Sequence, residues 1–187
     1  PGPQGPFCYV CLIPPITATP TTPAPTTDST GPCFARDALV EVQGKGTIKM
    51  ESLQVGDHVL TASGNFQPIF MKIHSHPSQP TSFLQIHSKS SDRNAPLEIT
   101  PDHLLYLEGN ASPVPAEEVK VGDVLVGAKG PRTVTKITEI VKNGFYNFYT
   151  ADGTIVVDGV VASVYIKALF EASVLYYIGG VAGYNKN

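Results

Sequence analysis

Over most of this chain apolar and polar residues alternate in short runs, and the runs end at Gly, Pro, Asn or Asp. Residues 38–42, 58–61, 83–86, 104–107, 134–140 and 154–157 carry β-branched and aromatic side chains, alternating as in a half-buried strand or clustered as in a buried one. A helical period is found only near the end, where Leu169, Phe170, Val174, Tyr177 and Ile178 fall on one face. The pattern predicts an all-β domain followed by a short helical tail at 166–187, packed on the strands.

Within that pattern a segment occurs twice. ESLQVGDHVL at 51–60 matches EEVKVGDVLV at 117–126, a spacing of 66 positions from Glu51 to Glu117. Each copy has an apolar approach, a Val-Gly-Asp turn and the start of a strand. Two copies are too few for a solenoid. They predict a duplicated β-subdomain with a pseudo-twofold axis, and the acids at Asp57 and Asp123 are read as turn residues.

Composition divides the chain at Cys33. Residues 1–32 contain no Lys, Arg or Glu, and 17–30 read TATPTTPAPTTDST. Such tracts bury too little apolar surface to offset chain entropy and resemble O-glycosylated stalks. Residues 1–32 are therefore expected to form a disordered linker in a secreted or cell-surface protein, and 33–165 the folded domain. The 187 residues, 42% of them hydrophobic, suffice for one sizeable core. A net charge of −3 without a basic cluster argues against nucleic acid. No apolar run reaches the ~20 residues that span a bilayer, because Lys167, Glu171 and Gly179-Gly180 interrupt the tail. The chain lacks an initiator Met and a signal peptide and is read as part of a longer precursor, acting as a monomer.

Candidate chemistry starts from the position of one thiol. Gly31-Pro32-Cys33-Phe34 opens the folded part, and Thr100-Pro101-Asp102-His103 follows at a spacing of 67 from Cys33 to Thr100. A nucleophile at the first residue of a domain has the peptide bond on its own amino side within immediate reach. A hydroxyl and an imidazole three residues apart can hydrogen-bond that bond and protonate its departing amine. Pro101 disfavours α geometry at Thr100, so the pair is expected on a defined turn. The competing readings are a small buried hydrophobe for Cys33 and a satisfied core polar residue for Thr100 and for His103. Cys8 and Cys11 lack the further ligands or βαβ context of a zinc or redox motif, so a local disulfide or inert thiols are expected, with no metal and no cofactor.

The segments CFARDALVEV, LQVGDHVLTASG, FLQIHS, LEITPDHLLYL, VGDVLVG and GTIVVDGVVASVY resemble, in order and spacing, the Hint domain shared by Hedgehog autoprocessing domains and inteins, nearer the Hedgehog side. The resemblance covers about 130 residues and implies a flattened, horseshoe-like fold of two related subdomains. It also implies a single-turnover, cysteine-dependent autoprotease in which Cys33 attacks the carbonyl of Pro32 while Thr100 and His103 polarise the bond and protonate its nitrogen. The substrate would be the chain's own upstream segment, and the acceptor water, a thiol or a lipid hydroxyl.

Several positions depart from the relatives. Val157-Asp158-Gly159 stands where inteins carry His-Asn, which argues against splicing. Where Hedgehog domains place an acid that activates a sterol, Met71-Lys72-Ile73-His74-Ser75-His76 has imidazoles and no carboxylate. With an unperturbed pKa near ~6.5, His74 or His76 could serve as the base there, although histidines in a Ser/Pro loop are commonly surface residues. Pro32 replaces a glycine, Val164 replaces a second cysteine, and the tail is short. These departures leave a second reading, a Hint fold that no longer cleaves and acts as a structural or interaction domain.

Overall fold

The computed structural model describes Gly31 and residues 33–89 and 95–166. The expected linker (apart from Gly31), the helical tail from residue 167, and Cys8 and Cys11 lie outside the described residues.

The described chain is built almost wholly of strands: β1 (Phe34–Ala35), β2 (Leu39–Val42), β3 (Gly46–Lys49), β4 (His58–Leu60), β5 (Phe66–Ser88), β6 (Leu97–Ile99), β7 (His103–Leu105), β8 (Val114–Pro115), β9 (Val124–Leu125), β10 (Arg132–Thr150), β11 (Thr154–Val157) and β12 (Val160–Ile166). Among the described residues helix is confined to two short 3-10 turns, Met50–Ser52 and Ala116–Glu118, which the strand pattern did not predict. The strands join in one continuous sheet ordered β8-β7-β12-β11-β2-β4-β5-β6-β1-β10-β9, with β3 paired to β2. β5 and β10 also pair with each other along most of their length.

The repeat is legible in the hydrogen bonds. At the first copy the Asp57 carboxylate accepts from the Gln54 N–H (3.1 Å), and at the second the Asp123 carboxylate accepts from the Lys120 N–H (2.8 Å). The main-chain pair Gly56–Ile69 and Ile69–Asp57 recurs as Gly122–Val134 and Val134–Asp123. Gly56 and Gly122 have φ of 94° and 98°, a region open to glycine and costly to a residue with a Cβ. Each copy begins inside one of the two 3-10 turns, which start one residue earlier at Met50 and Ala116, so the duplication embraces more than the matched letters.

One expectation is corrected. The stretch around His74 is strand, not a Ser/Pro loop: β5 runs unbroken through Pro77 and Pro80. Its pairing with β10 carries irregularities that absorb the poor strand formers. One extra residue, Ile73, lies on β5 between the pairs Lys72–Phe148 and His74–Asn147, and several lie between His76–Phe145 and Pro80–Asn143. Such bulges bend and twist a strand locally. From Phe70 to Pro80 every residue is exposed except His74, which is half-buried.

The main core gathers Phe34, Val40, Met50, Leu53, Ile69, Ile86, Ile99, Leu105, Phe148 and Val157 from both subdomains. A smaller cluster holds Cys33, Ala35, Phe83 and Phe145, so the candidate nucleophile is embedded where β1 meets β5 and β10.

Candidate active site

Cys33 is continuous with β1. Phe34 pairs with Ile99 of β6, and the next antiparallel pair is Cys33 with Thr100. The Thr100 N–H donates to the Cys33 carbonyl (3.0 Å), as a ladder requires. The return bond differs: the Cys33 N–H donates to the side-chain Oγ1 of Thr100 (2.9 Å). That exchange leaves the Thr100 carbonyl free to accept the His103 N–H (3.2 Å), closing the four-residue turn Thr100-Pro101-Asp102-His103. Pro101 occupies the second position of this turn, where its fixed φ is favoured. The Thr100 hydroxyl in turn donates to the Gly31 carbonyl (3.2 Å), so one side chain grips the backbone on both sides of Pro32.

The turn delivers His103 to the start of β7, fully buried, with its ring 4.2 Å from that of Phe34. Its Nε2 lies 2.7 Å from the carbonyl oxygen of Ser163 on β12. A carbonyl can only accept, so Nε2 carries the proton and the neutral ring keeps a lone pair on Nδ1. That Nδ1 is buried and has no hydrogen-bond partner among the described residues. Burial pulls the His103 pKa down to about 4, although the Ser163 and Cys33 backbones favour the charged ring.

On the other side of Cys33, Sγ lies 2.9 Å from Nδ1 of His74. Burial and the field of Asp102 hold the thiol pKa well above its ordinary value. Burial and the neighbouring His76 hold that of His74 below its own, against the opposing pull of Asp102. The pair therefore rests neutral, joined by one hydrogen bond between Sγ and Nδ1 whose donor is set by the imidazole tautomer. His76 is exposed and stacks on Phe145 with centroids 4.6 Å apart, its ring 6.2 Å from that of His74.

Cys33, Thr100, His103 and His74 are thus brought together, and His76 stands at the rim. Three contributors escaped the sequence reading. Asp102, inside the Thr-x-x-His turn, acts electrostatically on both Cys33 and His74 although the 71–76 stretch has no carboxylate of its own. Its place within the motif was the available signal. The Ser163 carbonyl fixes the His103 tautomer and, being main chain, has no signature in the letters. Gly31 was read only as part of the junction. Val164, where a second cysteine was noted as missing, is fully buried and held by its backbone to Gly153 and to the Asn147 amide. Cys33 is the free cysteine of the described chain.

A family model described as a Hint module matches residues 21–174. The chain belongs to the Hint family. Within it, this Hint chain is 30% identical over 154 residues to Warthog protein 4 of Caenorhabditis elegans, a match covering 70% of the chain and 27% of that protein. It is 32% identical over 150 residues to Indian hedgehog protein of Gallus gallus, covering 72% of the chain and 36% of that protein. The chain therefore spans only about a quarter to a third of these relatives. Among solved structures, the gp41-1 intein superposes with a TM-score of 0.60 at 14% identity, covering 72% of the chain and 99% of the intein. A bacterial intein-like domain from Clostridium thermocellum gives 0.57 at 19%, covering 70% and 97%. Those identities speak for the fold alone, and the fold is the Hint fold that the six motifs led one to expect.

Proposed function

We propose that this Hint domain cleaves its own Pro32–Cys33 peptide bond by an N-to-S acyl shift. His74 accepts the thiol proton as Sγ adds to the Pro32 carbonyl carbon. The C–S bond forms, the C–N bond breaks, and the nitrogen leaves as the α-amine of Cys33 with a proton delivered through Nδ1 of His103, whose open lone pair first takes that proton up. His74 then gives up the proton it took from sulfur, and Nδ1 of His103 takes one up before passing it to nitrogen, so the net change is one proton moved from sulfur to nitrogen and both rings end neutral. A ring with so low a pKa is neutral at rest and surrenders a proton readily, which suits a relay to an amine. Thr100 holds the Gly31 carbonyl and the Cys33 N–H and so fixes the peptide on both sides of the reacting bond. Asp102 supplies the negative field that favours the imidazolium formed on His74.

One observation carries this reading: the Cys33 thiol meets an imidazole at 2.9 Å while its own amide nitrogen meets the Thr100 hydroxyl at 2.9 Å. Once the sulfur is acylated, His74 no longer receives a thiol proton and is beside the thioester, placed to activate water or another hydroxyl. The Thr/Pro-rich stretch at 17–30 supports a protein of the secretory route whose upstream part is released by the reaction.

The raised thiol pKa favours the second reading, a folded domain that does not cleave, because a buried thiol is a poor nucleophile unless a base takes its proton during attack. Intact-mass measurement of the chain fused behind a stable reporter, with and without hydroxylamine, decides between them. Cleavage is expected between Pro32 and Cys33, accelerated by hydroxylamine, abolished in Cys33→Ala and far slower in Cys33→Ser. An inert wild type, or a Cys33→Ala protein that still cuts, overturns the proposal.

A further inference from the structure

Gly31 lies two residues before the nucleophile and has a φ of +74°. A Cβ built on it would stand 2.9 Å from Cε1 of His74 and 3.8 Å from each ring nitrogen. The same imidazole is the one in contact with Cys33 Sγ, and the Gly31 carbonyl is the one held by Thr100. The His74 ring is thus wedged between the thiol and the backbone of the upstream segment, with the edge of Phe145 at 5.9 Å between centroids.

We infer that Gly31 is a specificity determinant of the cleavage: the site accepts glycine two residues ahead of Cys33 because His74 fills the space a side chain would take. The inference rests on the thioester reading above. Two physical terms act together. A residue with a Cβ is strained at this φ, and its methyl group must displace something. The atom in its way belongs to the end of a side chain on the exposed stretch of β5, so the ring can swing aside while the fold survives. What is lost is the alignment of His74 on Sγ, and a base displaced by even 1 Å works poorly. The upstream partner is therefore read through its junction, and glycine at that position is what the junction must supply.

The test compares full-length precursors carrying Gly31, Gly31→Ala, and D-alanine introduced at position 31 by semi-synthesis. D-alanine is relaxed at positive φ and directs its methyl group away from the His74 side of Cα. Gly31→Ala is expected to form thioester at least about tenfold more slowly than wild type, and the D-alanine precursor to outpace Gly31→Ala by a similar factor. A second readout is independent of turnover. In the Cys33→Ala background, Gly31→Ala should shift the Cε1–H resonance of His74 in NMR spectra and leave those of His58 and His87 in place. A wild type that cleaves while Gly31→Ala matches it, equal rates for the two alanine enantiomers, or an unmoved His74 resonance overturns the role of Gly31. An inert wild type whose His74 resonance still responds to Gly31→Ala instead overturns the thioester reading and, with it, Gly31 as a determinant of cleavage.

Discussion

His103 combines two properties that pull against each other, full burial and an unpartnered ring nitrogen. A core histidine kept only for packing gains by satisfying both nitrogens. Leaving Nδ1 open beside the backbone of Cys33 costs stability and is understandable if that lone pair is the working atom. The burial has a consequence for folding. The pKa falls from 6.5 to about 4 on folding, so between those values the unfolded chain binds more protons and stability drops as pH falls. Full burial sets the size, roughly 3 kcal/mol by pH 4. Urea unfolding at pH 7 and pH 4, in the Cys33→Ala background so that the chain stays whole, should show this acid loss reduced by about that amount in His103→Gln. Identical pH dependence in both proteins would sink the account. In the active background His103→Gln should slow thioester formation by ~10²–10⁴-fold. Cys33, Thr100 and His103 were legible from their order and spacing, since each is named by its chemistry. The His74–Cys33 contact was not, because it depends on which strand crosses β1 and on a bulge at Ile73.

Among the elements, the duplicated turns were the most legible part of the fold, for local reasons: glycine supplies the positive φ and aspartate caps an amide three residues back. The shared cap predicts similar costs, since the ion pair that Asp57 also makes with Lys45 is at the surface, where such pairs contribute little. Asp57→Ala and Asp123→Ala should each destabilise by about 1 kcal/mol, and the double variant should lose the sum, since the two carboxylates share no partner. Chemical unfolding of the three variants checks this, and strong non-additivity would mean that the two copies are not independent turns. β5 was the least legible element. His, Ser and two prolines in the 74–80 stretch have weak strand propensity, and proline withholds a ladder donor. Pairing with β10 overrides that preference, helped by Lys142 of β10, which binds Asp37 at 2.8 Å and Glu98 of β6 at 2.5 Å. Tertiary partners of this kind leave no periodic trace in the strand they stabilise.

Taken as a whole, the molecule limits what can accept the acyl group. Cys33 is fully buried, and Val164 stands fully buried where a second thiol was noted as absent. A thioester on Cys33 would then be reached by small nucleophiles more easily than by a rigid sterol, so release to water or to an added small thiol is expected, without efficient sterol transfer. His74 must be neutral to act as the base in either step, and its pKa lies below 6.5. The rate should therefore climb with pH in the range below 6.5 and level off above it, a slope that His74→Ala should remove. Incubating the precursor with sterol in detergent and weighing the upstream fragment gives the decisive mass. A fragment heavier by water supports the expectation, whereas one heavier by a sterol would overturn it. Since no carboxylate lies in the 71–76 stretch, such a product would direct attention to Asp102, the acid whose field already reaches both Cys33 and His74.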